Sequence, residues 1–160
     1  MSTPLQDLIA VHVASGVAAV VAGAATMRAT KGAGAHPRRG HAYLWTLSAV
    51  LATGLAITLT DWAHLWHLTA LGGTAVLGAA LGFTARRSQF RRWLPVHILG
   101  MSGSYVAMLT AFYIDNGPRL PGWSLLPPLS FWILPGAVAA PVIMTALRRN
   151  RPMRADRRPL

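Results

Sequence analysis

Long runs of apolar residues alternate with short polar connectors along most of this chain. A helix needs about 20 predominantly apolar residues to cross the hydrocarbon core of a bilayer, and five runs reach that length. They cover residues 4–27, 37–60, 62–85, 94–114 and 123–147. The pattern therefore predicts an all-α fold: an integral membrane bundle of five transmembrane helices, with the first four forming the core and the fifth packed outside.

The fourth run carries a stripe of polar, aromatic and thioether side chains. A helix that touched only lipid would not need such a stripe. Its members recur at steps of three and four residues, so they share one helix face. The stripe comprises His97, Met101, Ser104 or Tyr105, Met108 and Phe112. An ionisable side chain inside a membrane is costly unless it faces protein, water or a ligand. His97 is therefore a candidate functional residue.

Proline and glycine predict where several helices begin and end. Pro37 suits the first turn of a helix, where its missing N–H costs nothing, so the second helix is expected to begin at His36. The Gly-Pro and Pro-Gly pairs within residues 117–122 predict a loop before the fifth span. Pro135 and Pro141 are expected to break or kink that span.

Composition narrows the class of protein further. The chain is 53% hydrophobic and 12% charged, and it contains neither glutamate nor cysteine. Without cysteine, disulfides, thiolate metal sites, iron–sulfur clusters and c-type haem attachment are excluded. The net charge of +11 comes from short basic clusters between apolar runs, not from a basic face with interleaved aromatics. The predicted partner is therefore the lipid bilayer and not nucleic acid.

The lysines and arginines predict the orientation in the membrane. Four follow the first span, four follow the third and six lie in the tail, residues 148–160, whereas Arg119 is alone on the other side. Basic connectors stay mainly in the cytoplasm, so the N-terminus is predicted outside and the basic tail inside the cytoplasmic (inner) membrane. Residues 1–7 lack the basic region of a signal peptide, so the first span is expected to be retained.

Depth in the membrane sorts the six histidines into two layers. The outer layer comprises His12, His64 and His67 on spans one and three, and the inner layer comprises His36, His41 and His97 on spans two and four. His12 and His67 lie about 10 Å from the outer ends of their helices, at about 1.5 Å per residue. His36 shares a helix face with Gly40 and Tyr43, and His41 points away from that face.

Paired histidines on diagonal helices suggest a haem protein. In an up-down-up-down bundle with neighbouring axes roughly 8 to 10 Å apart, diagonal helices are roughly 14 Å apart, which suits two histidines on the faces of a flat macrocycle. We therefore expect two b-type haems, one between His12 and His67 and one between His97 and either His36 or His41. Such a pair would make the protein a membrane oxidoreductase that passes electrons across the bilayer between a quinone or small redox partner and an acceptor.

Other residues complete the predicted inner site, and other functions use the same side chains. Arg38 or Arg39 is expected to meet haem propionates, with Tyr43, Met101 and Tyr105 as walls. A zinc or copper site is an alternative, either in an outer set of His12, Asp61, His64 and His67 or in the soft pair of His97 and Met101. A non-catalytic accessory subunit is a further alternative. The spans contain no internal carboxylate, which argues against a hydrolase.

Several of these motifs resemble those of a bacterial family of small predicted membrane proteins of unknown function. The motifs are His12-x3-Gly16, His36-x3-Gly40-x2-Tyr43, His67, and His97-x3-Met101 with Ser104, Tyr105, Ala111 and Phe112. The resemblance covers residues 8–116 and favours His36 over His41, but it implies no activity.

The expected architecture is also similar to that of di-haem b-type cytochromes, in which a four-helix core holds two haems by paired histidines. A shared architecture does not establish a function. Because His36 opens its helix at the membrane surface, a metal ion, a quinone head or a lipid headgroup is an alternative occupant of the inner site.

Overall fold

The computed structural model describes residues 3–32 and 34–150, and this part of the chain is all-α. Its helices are α1 (Pro4–Arg28), α2 (Ala35–Thr58), α3 (Trp62–Ser88), α4 (Trp93–Asn116) and α5 (Pro128–Arg149), with two short 3-10 helices, Gly117–Arg119 and Trp123–Leu125, before α5. All five α-helices are long and apolar enough to cross a membrane. The protein is therefore a multi-pass helical membrane protein, as the apolar runs predict.

Local sequence explains the helix ends, including those that the apolar runs misplace. Thr3 caps α1 in a reciprocal capping box with Gln6. The predicted start of the fifth span at Trp123 is wrong: residues 123–125 form a 3-10 turn, and α5 begins five residues later. The cause is the Pro127–Pro128 pair, because a residue that precedes proline is held extended, as Pro127 is with φ −58° and ψ 145°.

Other predicted boundaries need smaller corrections. The second helix begins at Ala35, one residue before the predicted start at His36, and ends at Thr58. Pro135 and Pro141 lie inside α5 without breaking it. Residues 151–160 of the predicted basic tail lie outside the described residues.

Helices α1 to α4 pack around a common core, and α5 lies outside it. The most extensive contacts join α3 to α4 and α1 to α2, those between α2 and α3 are fewer, and α1 and α4 touch at only a few positions. In this ring, α1 and α3 are diagonal partners, as are α2 and α4. Helix α5 packs against α4, and its Phe131 is 3% exposed beside Gly117, where a β-carbon would lie 2.5 Å from the Phe131 ring.

The core is built largely from small side chains, while many large apolar side chains point outward. Its most buried members are Ala19, Tyr43, Leu47, Ala75, Ala79, Ala107 and Met108. Large apolar side chains are exposed along the helices, among them Val13, Val17 and Val21 on α1 and Leu77 and Leu81 on α3. So extensive an exposed apolar surface is rare on a water-soluble monomer, so this distribution indicates contact with lipid.

Glycines bring α3 and α4 into backbone contact. Gly78 and Gly82 on α3 face Gly100 and Ser104 on α4, in the small-x3-small spacing typical of close membrane helix pairs. A β-carbon at Gly100 would lie 2.6 Å from the carbonyl oxygen of Gly78 and 2.7 Å from the backbone nitrogen of Gly82. Because backbone atoms block that space, this helix pair has no room for a larger residue at position 100.

Candidate functional site

Two histidines from diagonal helices meet at the end of the bundle that is predicted to be cytoplasmic. His36 lies in the first turn of α2 and His97 in the second turn of α4, and their ring centroids are 6.3 Å apart at an interplanar angle of 73°. Trp93 lies beside them with its ring centroid 6.3 Å from that of His97, and the Arg86 guanidinium lies 5.1 Å from the Trp93 ring. Both histidines are half-buried.

Each of the two rings is anchored through Nδ1 to a backbone carbonyl of a neighbouring helix. His36 Nδ1 lies 3.0 Å from the Thr26 oxygen at the end of α1, and His97 Nδ1 lies 2.8 Å from the Gly82 oxygen of α3. A carbonyl oxygen only accepts, so Nδ1–H is the donor in both hydrogen bonds. In the neutral form of each ring, Nε2 then keeps a free lone pair, and this is the tautomer that metal-ligating histidines usually have.

The close contact of α3 and α4 makes the anchoring of His97 possible. Gly82 has no side chain to cover its carbonyl, and the two backbones approach closely one turn deeper. The same glycine is in contact with Met101, whose sulfur would lie 3.1 Å from a β-carbon at position 82. His97 and Met101, one turn apart on α4, are thus both held against a single residue of α3.

Below the histidines, a buried pair of hydroxyls joins the same two diagonal helices. Tyr43 OH and Ser104 Oγ lie 2.8 Å apart, and these residues are 2% and 0% exposed. Tyr105 lies alongside, with its ring centroid 6.1 Å from that of Tyr43, and donates a hydrogen bond of 3.1 Å to the Val20 carbonyl. Each hydroxyl residue follows its histidine by seven positions, about 10 Å along a helix axis.

We expect the Tyr43–Ser104 hydrogen bond to contribute about 1 kcal/mol to stability, because a buried hydroxyl left without a partner loses its hydration with no compensation. Tyr43→Phe and Ser104→Ala should each destabilise the protein, and the double variant should cost less than the sum of the two. Unfolding in detergent, measured for all four proteins, gives the coupling energy. Strict additivity would contradict the hydrogen bond.

The remaining inner-layer candidates take other positions. His41 lies on another face of α2, with its ring 5.9 Å from the Phe83 ring of α3, so the structure places His36 and not His41 beside His97. Arg39 donates to the Ala25 carbonyl at 3.2 Å, near the C-terminal end of α1. Arg38 is exposed. In the α1–α2 connector, Lys31 Nζ donates to the Met27 carbonyl at 2.9 Å, and partial burial lowers the pKa of Lys31.

The structure does not assemble the predicted outer pair of His12 and His67. His12 points to α2, where Nδ1 lies 2.9 Å from Thr53 Oγ1 and the ring packs against Gly54. His67 points to α5, with its ring centroid 6.2 Å from that of Trp132. The two histidines share a depth, but their helices are rotated so that each ring faces a different neighbour.

The predicted outer zinc or copper set is not assembled either. His64 is exposed and pairs with Asp61 at 2.8 Å, at the start of α3. Within residues 3–32 and 34–150, no three histidine, aspartate or glutamate side chains lie together as a metal-binding group. Asp61 and His64 therefore form a local surface pair, which is the ordinary arrangement of residues three apart on a helix.

Some residues of the inner site escaped sequence reasoning. Trp93 borders His97, Arg86 lies over the Trp93 ring, and the Thr26 and Gly82 carbonyls orient the two histidine rings. Small-residue spacing on α3 was the available signal for Gly82, whereas nothing in the sequence marks a particular carbonyl as a hydrogen-bond acceptor. No family model, curated protein or solved structure matches this chain, so its function is inferred from the geometry of this site.

Proposed function

We propose that this protein is a b-type haem protein of the cytoplasmic membrane, in which His36 and His97 would hold one haem, and that it transfers electrons. One observation carries the proposal: two histidines on diagonal helices, each anchored through Nδ1, lie with their ring centroids 6.3 Å apart. Paired histidines facing across a bundle core are a common way to build cofactor and metal sites in helical proteins.

The separation of the rings suits a metal between them. Metal–nitrogen bonds are about 2 Å long and each ring nitrogen lies about 1 Å from its ring centre, so two imidazoles that hold one metal would have centroids up to about 6 Å apart. The observed distance of 6.3 Å is close to this value. A purely structural role for the two histidines does not require both rings to be anchored through Nδ1 so close to each other.

The surroundings also suit a haem. Lys31, Arg39 and Arg86 lie at this end of the bundle, and none of the aspartates of the described residues does, so anionic propionates would meet only cations. Trp93 borders His97 on one side, while Tyr43, Ser104 and Tyr105 close the bundle beneath the two histidines. When bound, haem supplies a one-electron couple whose potential depends on its axial ligands and burial.

A single centre changes the proposed route of the electrons. With His12 and His67 directed to different helices, this chain supplies one histidine pair, near the cytoplasmic face. We propose that it exchanges electrons there between a membrane quinol or small reductant and an acceptor. The two-haem path across the bilayer is not part of this proposal.

The visible absorption spectrum of the purified protein tests the proposal. Protein extracted in mild detergent from haem-replete cells should be red, with the reduced-minus-oxidised difference bands of a b-type cytochrome and about one haem per chain. Colourless protein that circular dichroism shows to be folded would contradict the proposal. A content of two haems per chain would instead show that the outer histidines ligate as well.

Copper binding is a second candidate, favoured by the position of Met101. His97 and Met101 both lie against Gly82, and two imidazoles with a thioether form a soft ligand set suited to Cu(I). Colourless protein with one copper per chain, lost in both Met101→Leu and His36→Phe, would support this candidate. Absence of copper after gentle extraction in copper-replete medium would exclude it.

A further inference from the structure

A cleft of about 170 Å³ opens between α2 and α3, away from the histidine pair. Its lining comprises Leu44, Leu47, Ser48, Val76, Ala79, Ala80 and Phe83. Leu47 and Ala79 form a buried floor that belongs to the bundle core, whereas Ser48 and Ala80 are exposed at the rim. The cleft exists because α2 and α3 pack less extensively than the α1–α2 and α3–α4 pairs. It is therefore an apolar slot that is open to the lipid.

Polarity changes sharply along this cleft. At its cytoplasmic end, the His41 ring lies 5.9 Å from the Phe83 ring in an edge-to-face arrangement. One helical turn closer to the cytoplasm, Arg38 precedes His41 on α2 and Arg87 follows Phe83 on α3. Both arginines are exposed. Residues three or four apart lie on the same side of a helix, so the two arginines flank the mouth of the slot.

No acid in the described residues neutralises these cations. The aspartates within residues 3–32 and 34–150 are Asp7, Asp61 and Asp115. All three lie at the end of the bundle opposite to Arg38 and Arg87. His41 also has no hydrogen-bond partner among those residues. An apolar slot that ends in unpaired cations complements a molecule with a hydrocarbon chain at one end and a negative charge at the other.

We propose that this cleft binds one anionic phospholipid, with an acyl chain in the slot and its phosphate between Arg38, His41 and Arg87. Basic pockets between transmembrane helices on the cytoplasmic side bind such headgroups, and each basic residue adds to the attraction. The site is separate from the His36–His97 pair and does not depend on the function proposed for that pair. It gives His41, which lies apart from His97, a role in holding lipid.

Competition between two lipids tests the site. The intact protein is reconstituted in nanodiscs of equal parts phosphatidylglycerol and phosphatidylcholine, and the lipid retained after release into detergent is identified by native mass spectrometry. We expect one retained phosphatidylglycerol per chain. In Arg38→Gln/Arg87→Gln, its preference over phosphatidylcholine should fall about tenfold or more, because two basic residues near the headgroup are lost.

A charge-matched control separates a specific site from general attraction to a basic face. Arg148→Gln/Arg149→Gln removes the same charge from the cytoplasmic end of α5, which packs on the far side of α4, and should leave the preference unchanged. Equal loss in both double variants would overturn the proposal, as would equal retention of the two lipids by the unaltered protein.

A second variant tests the acyl-chain part of the site. Ala80 lies exposed at the rim, so Ala80→Leu should fill the slot without disturbing the buried floor, and it should abolish retention of phosphatidylglycerol with both arginines present. Ala70→Leu, at an exposed position of the same helix outside the cleft, is its control. Retention of lipid by Ala80→Leu at the level of Ala70→Leu would overturn the proposal.

Discussion

Gly100→Ala is expected to destabilise the protein by about 3 kcal/mol, at the upper end of what overpacking of a tight interface costs. The added β-carbon would lie 2.6 Å from the Gly78 carbonyl oxygen and 2.7 Å from the Gly82 nitrogen. Both obstacles are backbone atoms of α3, so the helices must separate to admit the methyl group. The free energy of unfolding in a detergent titration measures the effect.

Gly103→Ala is the matched control, three residues further along α4. A β-carbon at position 103 has no neighbour within 4 Å, and alanine favours the helix by about 0.5–1 kcal/mol relative to glycine. This variant should therefore be neutral or slightly more stable. Equal stability of the two alanine variants would contradict the close backbone contact of α3 and α4.

His97→Phe is expected to abolish haem binding completely, because it removes one of the two imidazoles proposed to hold the haem while keeping a ring of similar size against Gly82. His36→Phe should do the same. Haem per chain, measured from the pyridine haemochrome spectrum after purification, is the readout. Circular dichroism of each variant establishes that the helices remain folded.

The other histidines provide internal controls for this test. His41→Phe removes an imidazole at the same depth from a ring that faces Phe83, and His67→Phe removes one that faces Trp132. Both variants should keep the full haem content, as should His12→Phe. Loss of haem in His67→Phe with retention in His97→Phe would contradict the assignment and would restore the outer pair as the ligand site.

Depth along each helix follows from the sequence, whereas rotation about the helix axis does not. Counting residues from the membrane surface placed His12 and His67 in one layer. Whether two side chains in a layer meet depends on which neighbour each helix face packs against. His12 faces Thr53 of α2 and His67 faces Trp132 of α5. Helix α5 lies outside the four-helix core within which the pairing of His12 and His67 is predicted.

Helical periodicity predicts correctly which way a side chain faces where a buried residue on the same helix face fixes the rotation of the helix. His36, Gly40 and Tyr43 share one face of α2, and Tyr43 is almost fully buried in the core, so His36 must face the core side as well. The structure accordingly places His36 beside His97. The Thr26 and Gly82 carbonyls that hold the two rings were not predictable, because their positions depend on how closely separate helices approach.

The two ligands of the proposed centre come from two different helical hairpins. His36 is anchored within the α1–α2 pair and His97 within the α3–α4 pair, and contacts are more extensive inside each pair than between the pairs. Membrane helices are inserted first and associate afterwards. The histidine pair then forms only when the two hairpins pack against each other. Any group that both rings bind would therefore also stabilise the packing of these two halves of the protein.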